Sequence, residues 1–358
     1  MTQSEQRPAW ETDIAVIGGG PAGATCALAL ARSGISVTLV HWDGYAPGGV
    51  ELVSGHSRQI LEQDSPGLFQ RLPAVEIHET ISLWGTGEPV TLNAMFNPWG
   101  AGVALERSLL DKSLRDLAYA AGVSIAADTK VIHSERSDEG WRLLLRRGET
   151  ESSLLNSRFV VIATGRVAGS LVERPPAPEP LHIALMMPLS AQDGSDQGHA
   201  LYIESADNGW WYALPAIGGG YFTGFCTCRD EVKKRQGSLR EFFIQELRRT
   251  HLLGPLLGPL LPNATDSSRI TGRIAGTPSF AGAAGDGWIA IGDAAYAPDP
   301  LSGIGVEGAI ESARLGASAL LEVMKGGSAS TKFAEYEDKI RGVADRHRRT
   351  AAYHYGRL

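Results

Sequence analysis

Cysteine is scarce in this chain. Cys26, Cys226 and Cys228 are the only three among 358 residues, too few for a disulfide framework, and a lone Cys-x-Cys reads as packing rather than a metal site. No run reaches the roughly 18 apolar residues that a membrane-spanning helix needs. Met1 to Glu11 is polar and has no apolar signal core, so the expectation is a reducing, cytoplasmic setting with no transmembrane segment. Excess positive charge is missing too. The formal net charge is −7, which argues against nucleic acid as the main partner. Glycine and proline are plentiful, 43 and 19, and their dispersal marks turns rather than low complexity. A hydrophobic content of 43% suffices for a large core split over two lobes.

What is present is organised around Asp13 to Val40. The apolar run Ile14 to Ile17 leads to Gly18, Gly20 and Gly23, the G-x-G-x-x-G spacing. The Ala/Leu-rich stretch that follows predicts a helix from Pro21 to about Arg32, ended by Gly34, with a second apolar run from Ile35 to Val40. A complete β-α-β unit gives the motif a meaning that isolated glycines lack. Gly18 permits the tight turn, Gly20 lets a diphosphate approach the backbone, and Gly23 lets the helix pack on the strand. The helix N-terminus adds free N–H groups and partial positive charge. Dinucleotide binding is therefore expected. Such units place an acidic residue about 20 residues on, against a ribose hydroxyl. Here Val40 is followed by His41, Trp42 and Asp43, so either Asp43, slightly shifted, or His41 takes that place.

Ala46 to Arg58 is a Gly/Pro-marked loop placed to lie over the cofactor, with Glu51, His56 and Arg58 as its polar candidates and a helix expected from Ser57. Val75 to Val103 predicts one or two hairpins, whose Trp84, Phe96 and Trp99 either line a pocket or form core. Glu106 to Gly122 predicts a helix with Leu109, Leu110, Leu114, Leu117 and Ala118 on one face. Arg107 and Asp111 are i,i+4 neighbours able to pair. Phe159 to Arg166 reads as a buried strand ending at Thr164-Gly165, where backbone can pass close to a nucleotide. Pro175 to Pro180 marks a crossing into a second, extended lobe with turns at Asp193-Gly194, Asn208-Gly209 and Gly218 to Gly220. There Trp210, Trp211 and Tyr212 either shape a substrate cavity or form sheet core.

The strand Gly287 to Ile291 returns to the first lobe and runs into Gly292-Asp293. An Asp after a buried strand and a glycine is suited to accept from a ribityl hydroxyl. The segment Leu301 to Gly305 presents successive N–H groups ahead of a helix from Val306 to Lys325, suited to a flavin edge that becomes anionic on reduction. Lys332 to Leu358 is a charged amphipathic helix with Phe333, Tyr336, Ile340 and Ala344 inward.

Three motifs thus stand in order: Gly18-x-Gly20-x-x-Gly23, Ala163-Thr-Gly-Arg166, and Gly292-Asp293 with Asp299-Pro-Leu-Ser-Gly-x-Gly305. Together they resemble the flavoprotein superfamily of single-component aromatic hydroxylases, geranylgeranyl reductases and flavin-dependent halogenases. Gly209-Trp-Trp-Tyr, Ala-Thr-Gly-Arg and Gly-Asp-Ala-Ala look most like the LodB-like flavoproteins. These serve the maturation of quinone-cofactor oxidases and are thought to hydroxylate a tryptophan of a partner protein. Two departures set halogenation aside. No lysine precedes Lys112, whereas halogenases carry an essential early lysine, and their Trp-x-Trp-x-Ile-Pro appears as Trp210-x-Tyr212-x-Leu214-Pro215. Thr164-Gly165 replaces the Asp-Gly of the usual aromatic hydroxylases, which puts direct NAD(P)H use in question.

The resemblance implies an α/β fold, with a glutathione-reductase-type FAD-binding Rossmann lobe (10–74, 101–174 and 268–330) and a smaller β-sheet substrate lobe (75–100 and 175–267). A C-terminal helix (331–358) completes it. It implies FAD as cofactor, O2 as co-substrate, and NAD(P)H or a separate flavin reductase as electron source. Gly18, Gly20, Pro21, Ala22 and Gly23 would face the diphosphate, with His41, Trp42 and Arg107 nearby. Ala163, Thr164, Gly165, Gly292 and Asp293 would line the middle, and Pro300, Ser302, Gly303, Ile304 and Gly305 the isoalloxazine. Trp210, Trp211 and Tyr212 are the substrate candidates; Glu51, His56 and Asp299 are the candidate proton handlers. The expected activity is hydroxylation of an electron-rich aromatic ring through a flavin C4a-hydroperoxide, on a partner's tryptophan or a natural-product aromatic. An alkene reductase or a halogenase, and a non-catalytic flavoprotein chaperone, are the alternatives.

Overall fold

The computed structural model describes residues 10–45, 48–85, 87–166, 182–191, 198–263, 270–275 and 282–355. The crossing at 175–180 and the Asp193-Gly194 turn lie outside the described residues.

The opening strand β1 (Trp10–Ile17) has Ile14, Ala15 and Val16 fully buried. Consecutive buried residues are covered on both faces, as in a parallel sheet wrapped by helices. Its neighbours β2 (Val37–Val40) and β11 (Glu151–Ile162) both run parallel to it. Beyond them lie β8 (Ser124–Ala126) on one side and β18 (Trp288–Ala290) on the other, also parallel. The edge strand β17 (Ala284–Gly285) is antiparallel, and a hairpin of β9 (Thr129–Ser137) and β10 (Gly140–Arg147) attaches to β11. Because β1, β2, β11 and β18 share one direction, the segments that follow them emerge along one edge. That edge carries Gly18 to Gly20, His41, Ala163 to Arg166, and Gly292-Asp293. In parallel α/β sheets this is where ligands bind, since connections diverge there and leave a crevice.

Helices α1 (Pro21–Arg32), α3 (Arg107–Ala120) and α7 (Gly305–Met324) cover this sheet, with α1 packed on both of the others. On α3, Leu110, Leu114 and Ala118 are buried while Leu109 and Leu117 are half-buried, close to the expected face. The final helix α8 (Ala329–Tyr355) buries Phe333, Tyr336, Ile340 and Ala344 against the same core, as its periodicity predicts. The Tyr336 hydroxyl donates to Ala290 O at 2.6 Å and ties α8 to β18.

A second sheet has seven strands in the order β16 (Thr271–Ile274), β12 (His182–Leu189), β15 (Tyr221–Cys228), β14 (Gly209–Pro215), β13 (Ala200–Ala206), β5 (Glu79–Leu83) and β6 (Val90–Asn93). All its pairings are antiparallel except β13 with β5. After β15 come α4 (Arg229–Lys234), α5 (Leu239–Arg248) and α6 (Leu253–Leu257). Phe243, Leu247, Leu253 and Leu257 of α5 and α6 bury one face of the sheet. The side chain of Glu204, 1% exposed, accepts from the amides of Leu252 and Leu253 and so caps α6.

A three-stranded sheet, β3 (Val50–Val53), β7 (Gly102–Glu106) and β4 (Val75–Ile77), joins the two larger ones and leads into α2 (Gly55–Asp64). Val50, Val75, Ile77 and Ala104 pack on Met186, Leu214 and Phe222 of the second sheet. The lobe boundaries read from sequence shift at two places. β16 pairs with β12 in the second sheet, although 268 onward was assigned to the first lobe. β4 lies in the small sheet, although 75 onward was assigned to the substrate lobe. β16 is a short exposed edge strand without apolar periodicity, so nothing local distinguished it. Among the described residues no helix is long and apolar enough to cross a membrane.

Candidate functional site

The glycine loop is shaped by close backbone approach. Gly18 has φ +120°, and a Cβ there would sit 2.1 Å from Ala163 O. A Cβ on Gly23 would meet Gly18 O at 1.9 Å. At Gly20 the situation is reversed: a Cβ would project into open space, with Arg107 Nη2 its nearest neighbour at 3.7 Å. Gly20 is also the N-cap of α1 and supplies no side-chain hydrogen bond, so the first amides of α1 have no side-chain cap. An uncapped helix start behind an open concavity is a ready anion site.

At the end of β2, Asp43 is shared between two cations-to-be. Its Oδ1 lies 3.1 Å from His41 Nδ1, and Oδ2 accepts from Arg115 Nη2 at 3.2 Å. Arg115 Nη1 also donates to Gly19 O at 3.2 Å, which links this cluster to the glycine loop. Burial, reinforced by the Arg115 charge, lowers the His41 pKa, with Asp43 acting against it. Trp42 is turned to Lys130, whose Nζ stands 3.3 Å from a Trp42 ring centroid. Arg115 escaped the sequence reading, yet Arg107, Asp111 and Arg115 recur at i, i+4 and i+8 on one helix face.

The next group surrounds the ends of β11 and β18. Arg166 Nε lies 3.2 Å from Asp293 Oδ2, and its Nη2 donates to Pro298 O at 2.8 Å. Burial raises the Asp293 carboxyl pKa, while the charges of Arg166 and Arg107 oppose that rise. Gly292 has φ +60°, and its amide donates to Ser312 Oγ at 2.8 Å. Thr164 Oγ1 is buried with no hydrogen-bond partner. Arg166 closes the Ala163-Thr-Gly-Arg motif, and Asp293 lies 127 residues away from it, beyond any local signal.

Three candidate proton handlers end up in different states. Glu51 Oε2 accepts from Arg107 Nη1 at 2.9 Å, and Arg107 Nε donates to Asp111 Oδ1 at 2.8 Å, the pairing its spacing suggested. Burial works against the Arg107 charge, but Glu51 and Asp111 outweigh it and raise its pKa. Asp299 Oδ1 accepts from the Leu301 amide at 2.9 Å and caps the short 3-10 turn Pro300–Ser302. His56 Nδ1 lies 3.0 Å from Glu307 Oε1, and Glu307 Oε2 accepts from Ser54 Oγ at 2.6 Å. Glu307 stands in the first turn of α7. Ligand atoms of His56, Glu307 and Glu311 lie within 4.8 Å of one another, so a divalent cation could also reach this cluster.

On β14 the side chains alternate, and the Trp-Trp-Tyr group is split. Trp210 and Tyr212 belong to one apolar cluster that also takes in Leu301 of the 299–305 segment and Tyr355. Trp211 faces the other way and does not line the crevice. It is fully buried, stacked on Phe225 at 4.5 Å and edge-on to Phe243 at 4.8 Å, in the core beneath α5. Period two along a strand makes that separation unavoidable. The aromatics of 84–99 do not form one pocket either. Trp84 packs against the cluster that holds Trp210, Phe96 is 83% exposed, and Trp99 lies 4.4 Å from His56.

A parallel sheet with a glycine-lined crevice at its carboxyl edge, faced by an antiparallel sheet, defines a dinucleotide-binding α/β protein. Residues 13–172 match the family model of FAD dependent oxidoreductases. A digeranylgeranylglycerophospholipid reductase of Methanosarcina mazei is 23% identical over 92% of this chain and 80% of its own length. The putative FAD-dependent oxidoreductase LodB of Marinomonas mediterranea is 25% identical over 84% of this chain and 82% of its own. Among solved structures, peptidyl tryptophan dihydroxylase QhpG, essential for tryptophylquinone cofactor biogenesis, aligns with a TM-score of 0.78 at 25% identity. That alignment covers 97% of this chain and 75% of QhpG. Flavin-dependent halogenases share the fold. The match over residues 13–172, together with the likeness of most of the chain to FAD-dependent enzymes, marks this as an enzyme similar to FAD-dependent oxidoreductases.

The residues present fit FAD. The space in front of Gly20, the uncapped start of α1 and the unpartnered Thr164 Oγ1 all lie along the crevice edge. Asp293 provides an acceptor between them and the 299–305 turn.

Proposed function

We propose that this enzyme is an FAD-dependent monooxygenase that hydroxylates an electron-rich aromatic ring, its favoured substrate being a tryptophan of a partner protein. The observation that carries this reading is that Trp210 and Tyr212 share one apolar cluster with Leu301 of the 299–305 turn. An aromatic wall stacks well on an indole or phenol ring. The likeness to QhpG, a peptidyl tryptophan dihydroxylase, supports the substrate class.

In this reading Gly18 to Gly23 and the amides of α1 hold the diphosphate, and Arg107 adds charge beside Gly20. His41, Asp43 and Arg115 face the adenosine ribose, and Trp42 flanks it. Ala163, Thr164 and Gly165 line the middle of the cofactor, and the Asp293 carboxylate accepts from the ribityl chain while Arg166 holds it in place. Pro300 to Gly305 present their amides to the isoalloxazine. When bound and reduced by NAD(P)H or a separate reductase, the flavin supplies the electrons that activate O2 for transfer to carbon. The net change converts a ring C–H to C–OH and consumes one O2, two electrons and two protons, with release of water.

Proton handling falls to His56. Glu51 is held by Arg107, and Asp299 is committed to the Leu301 amide. Glu307 is an acceptor towards both Ser54 and His56, so the proton of neutral His56 resides on Nδ1 and the lone pair on Nε2. Nε2 is then free to take the proton that leaves the ring carbon.

The test is anaerobic photoreduction of the holoenzyme, followed by mixing with O2 and tryptophan-containing peptides or free phenols and indoles. Oxygenated product, formed only with substrate, is expected. Replacing His56 by Ala should lower its rate about 100-fold with FAD affinity unchanged. Peroxide release with unchanged substrate would refute the reading. Anaerobic saturation of an isoprenoid alkene would replace it with the reductase activity that the Methanosarcina mazei relative's name describes.

A further inference from the structure

Three side chains from distant parts of the chain meet behind the cofactor turn. Trp210 Nε1 lies 3.1 Å from Tyr355 Oη, and Tyr355 Oη lies 3.1 Å from Asp299 Oδ1. The direction of this chain is forced by its ends. An indole N–H can only donate, and a carboxylate can only accept. Tyr355 therefore accepts from Trp210 and donates to Asp299. Burial, together with the negative charge of Asp299, raises the Tyr355 pKa, so the hydroxyl keeps the proton it donates.

The setting makes this contact more than a surface bond. Trp210 is 3% and Asp299 8% exposed. The Tyr355 ring stacks on His182 of β12 at 5.7 Å, and Leu301 packs in the same cluster. Tyr355 ends the helix whose Tyr336 is bonded to β18. One helix at about 1.5 Å per residue carries that anchorage about 28 Å to the second sheet. The turn it reaches is short, Pro300–Ser302, and Asp299 supplies its side-chain cap. A carboxylate that orients a turn is itself oriented only if its other donors are fixed.

We propose that Tyr355 is a positioning residue: by holding Asp299 against Trp210, it sets the orientation in which the 301–305 amides face the flavin. The flavin part rests on the proposed placement of the isoalloxazine at 300–305, whereas the orientation of the turn does not. The end of α8 thereby couples the aromatic wall to the cofactor turn, and a change at one is felt at the other.

Replacing Tyr355 by Phe keeps the ring and its stacking on His182 but removes the hydroxyl. The first measurement is hydrogen exchange of the 299–305 amides in the FAD-free full chain. Exchange should accelerate about tenfold in Tyr355→Phe, the size expected for one lost hydrogen bond to a charged group. Trp210→Phe should give a smaller change of the same sign, because the bond from Tyr355 to Asp299 survives. Tyr119→Phe, on an exposed face of α3, serves as the control. The second measurement is the visible spectrum and dissociation constant of bound FAD. A shifted flavin band and roughly tenfold weaker binding are expected, neither of which a purely structural loss of melting temperature produces. Wild-type exchange at 299–305 in Tyr355→Phe overturns the proposal, whatever the enzyme oxidises. Faster exchange with an unaltered flavin spectrum overturns the link to the cofactor. A wild-type enzyme that binds FAD but fails to hydroxylate leaves both readouts intact and refutes only the proposed reaction.

Discussion

The two ends of the crevice are built in different ways. At the glycine end, Gly18, Gly20, Gly23, His41 and Asp43 come from one continuous stretch, and backbone sterics do most of the shaping. At the other end, Asp293 and Asp299, Arg166, Trp210 and Tyr355 come from four separate segments and are joined by side-chain hydrogen bonds. The first kind of site tolerates no added atom. The second tolerates added atoms but not lost partners.

The sharpest way to break this comparison is a pair of glycine substitutions. Gly23→Ala puts a Cβ 1.9 Å from a backbone oxygen and should abolish FAD retention, leaving colourless protein on gel filtration. Gly303→Ala has nothing within 4 Å, only a φ of +64°, and should cost about 1 kcal/mol in a denaturant titration. Equal losses would mean that the two ends are not shaped differently. The next largest effect separates neighbours on β14. Trp211→Ala should lose about 3–5 kcal/mol of stability in urea unfolding, since the indole is fully buried. Trp210→Phe should lose far less and act instead on the flavin and the substrate. A smaller effect is expected for Arg166→Leu, which strips Asp293 of its partner. FAD affinity should fall about tenfold to a hundredfold by fluorescence titration, whereas wild-type affinity would mean that Asp293 does not contact the cofactor.

The smallest effect is a pH dependence. Burial, then Arg115, lowers the folded-state pKa of His41 below its ordinary 6.5. The unfolded chain then binds the proton more readily, so this contribution to stability is complete above about pH 6.5 and shrinks as pH falls through that value. The slope is at most about 1.4 kcal/mol per pH unit. His41→Gln should flatten it in melts between pH 5 and 7, measured at about the same ionic strength. An unchanged slope would place the titrating group elsewhere.

What could be read in advance followed from locality. The β-α-β unit carries its own turn, helix start and strand pattern, and the helix Pro21–Arg32 has the bounds its composition predicts. The inward face of α8 was legible because its apolar spacing is regular. The strand Thr129–Ser137 was missed because its exposed residues are Lys130, His133, Glu135 and Ser137 and its sheet face is only half-buried. Trp211 was grouped with its neighbours, although a two-residue period already implied that it points away from them. Glu307, Ser54, Arg115 and Tyr355 gave no sign of a role, since each acquires its partner across more than 50 residues of chain.

The amino-acid sequence alone determined the nucleotide fold and the placement of its glycines, because turn, helix start and strand pattern all lie in one continuous stretch. Only the tertiary structure decided which carboxylates are held by arginines, which imidazole meets Glu307, and which tyrosine reaches Asp299. Those outcomes depend on distances between segments that are far apart in the chain, and a hydrogen bond is gained or lost within about half an ångström.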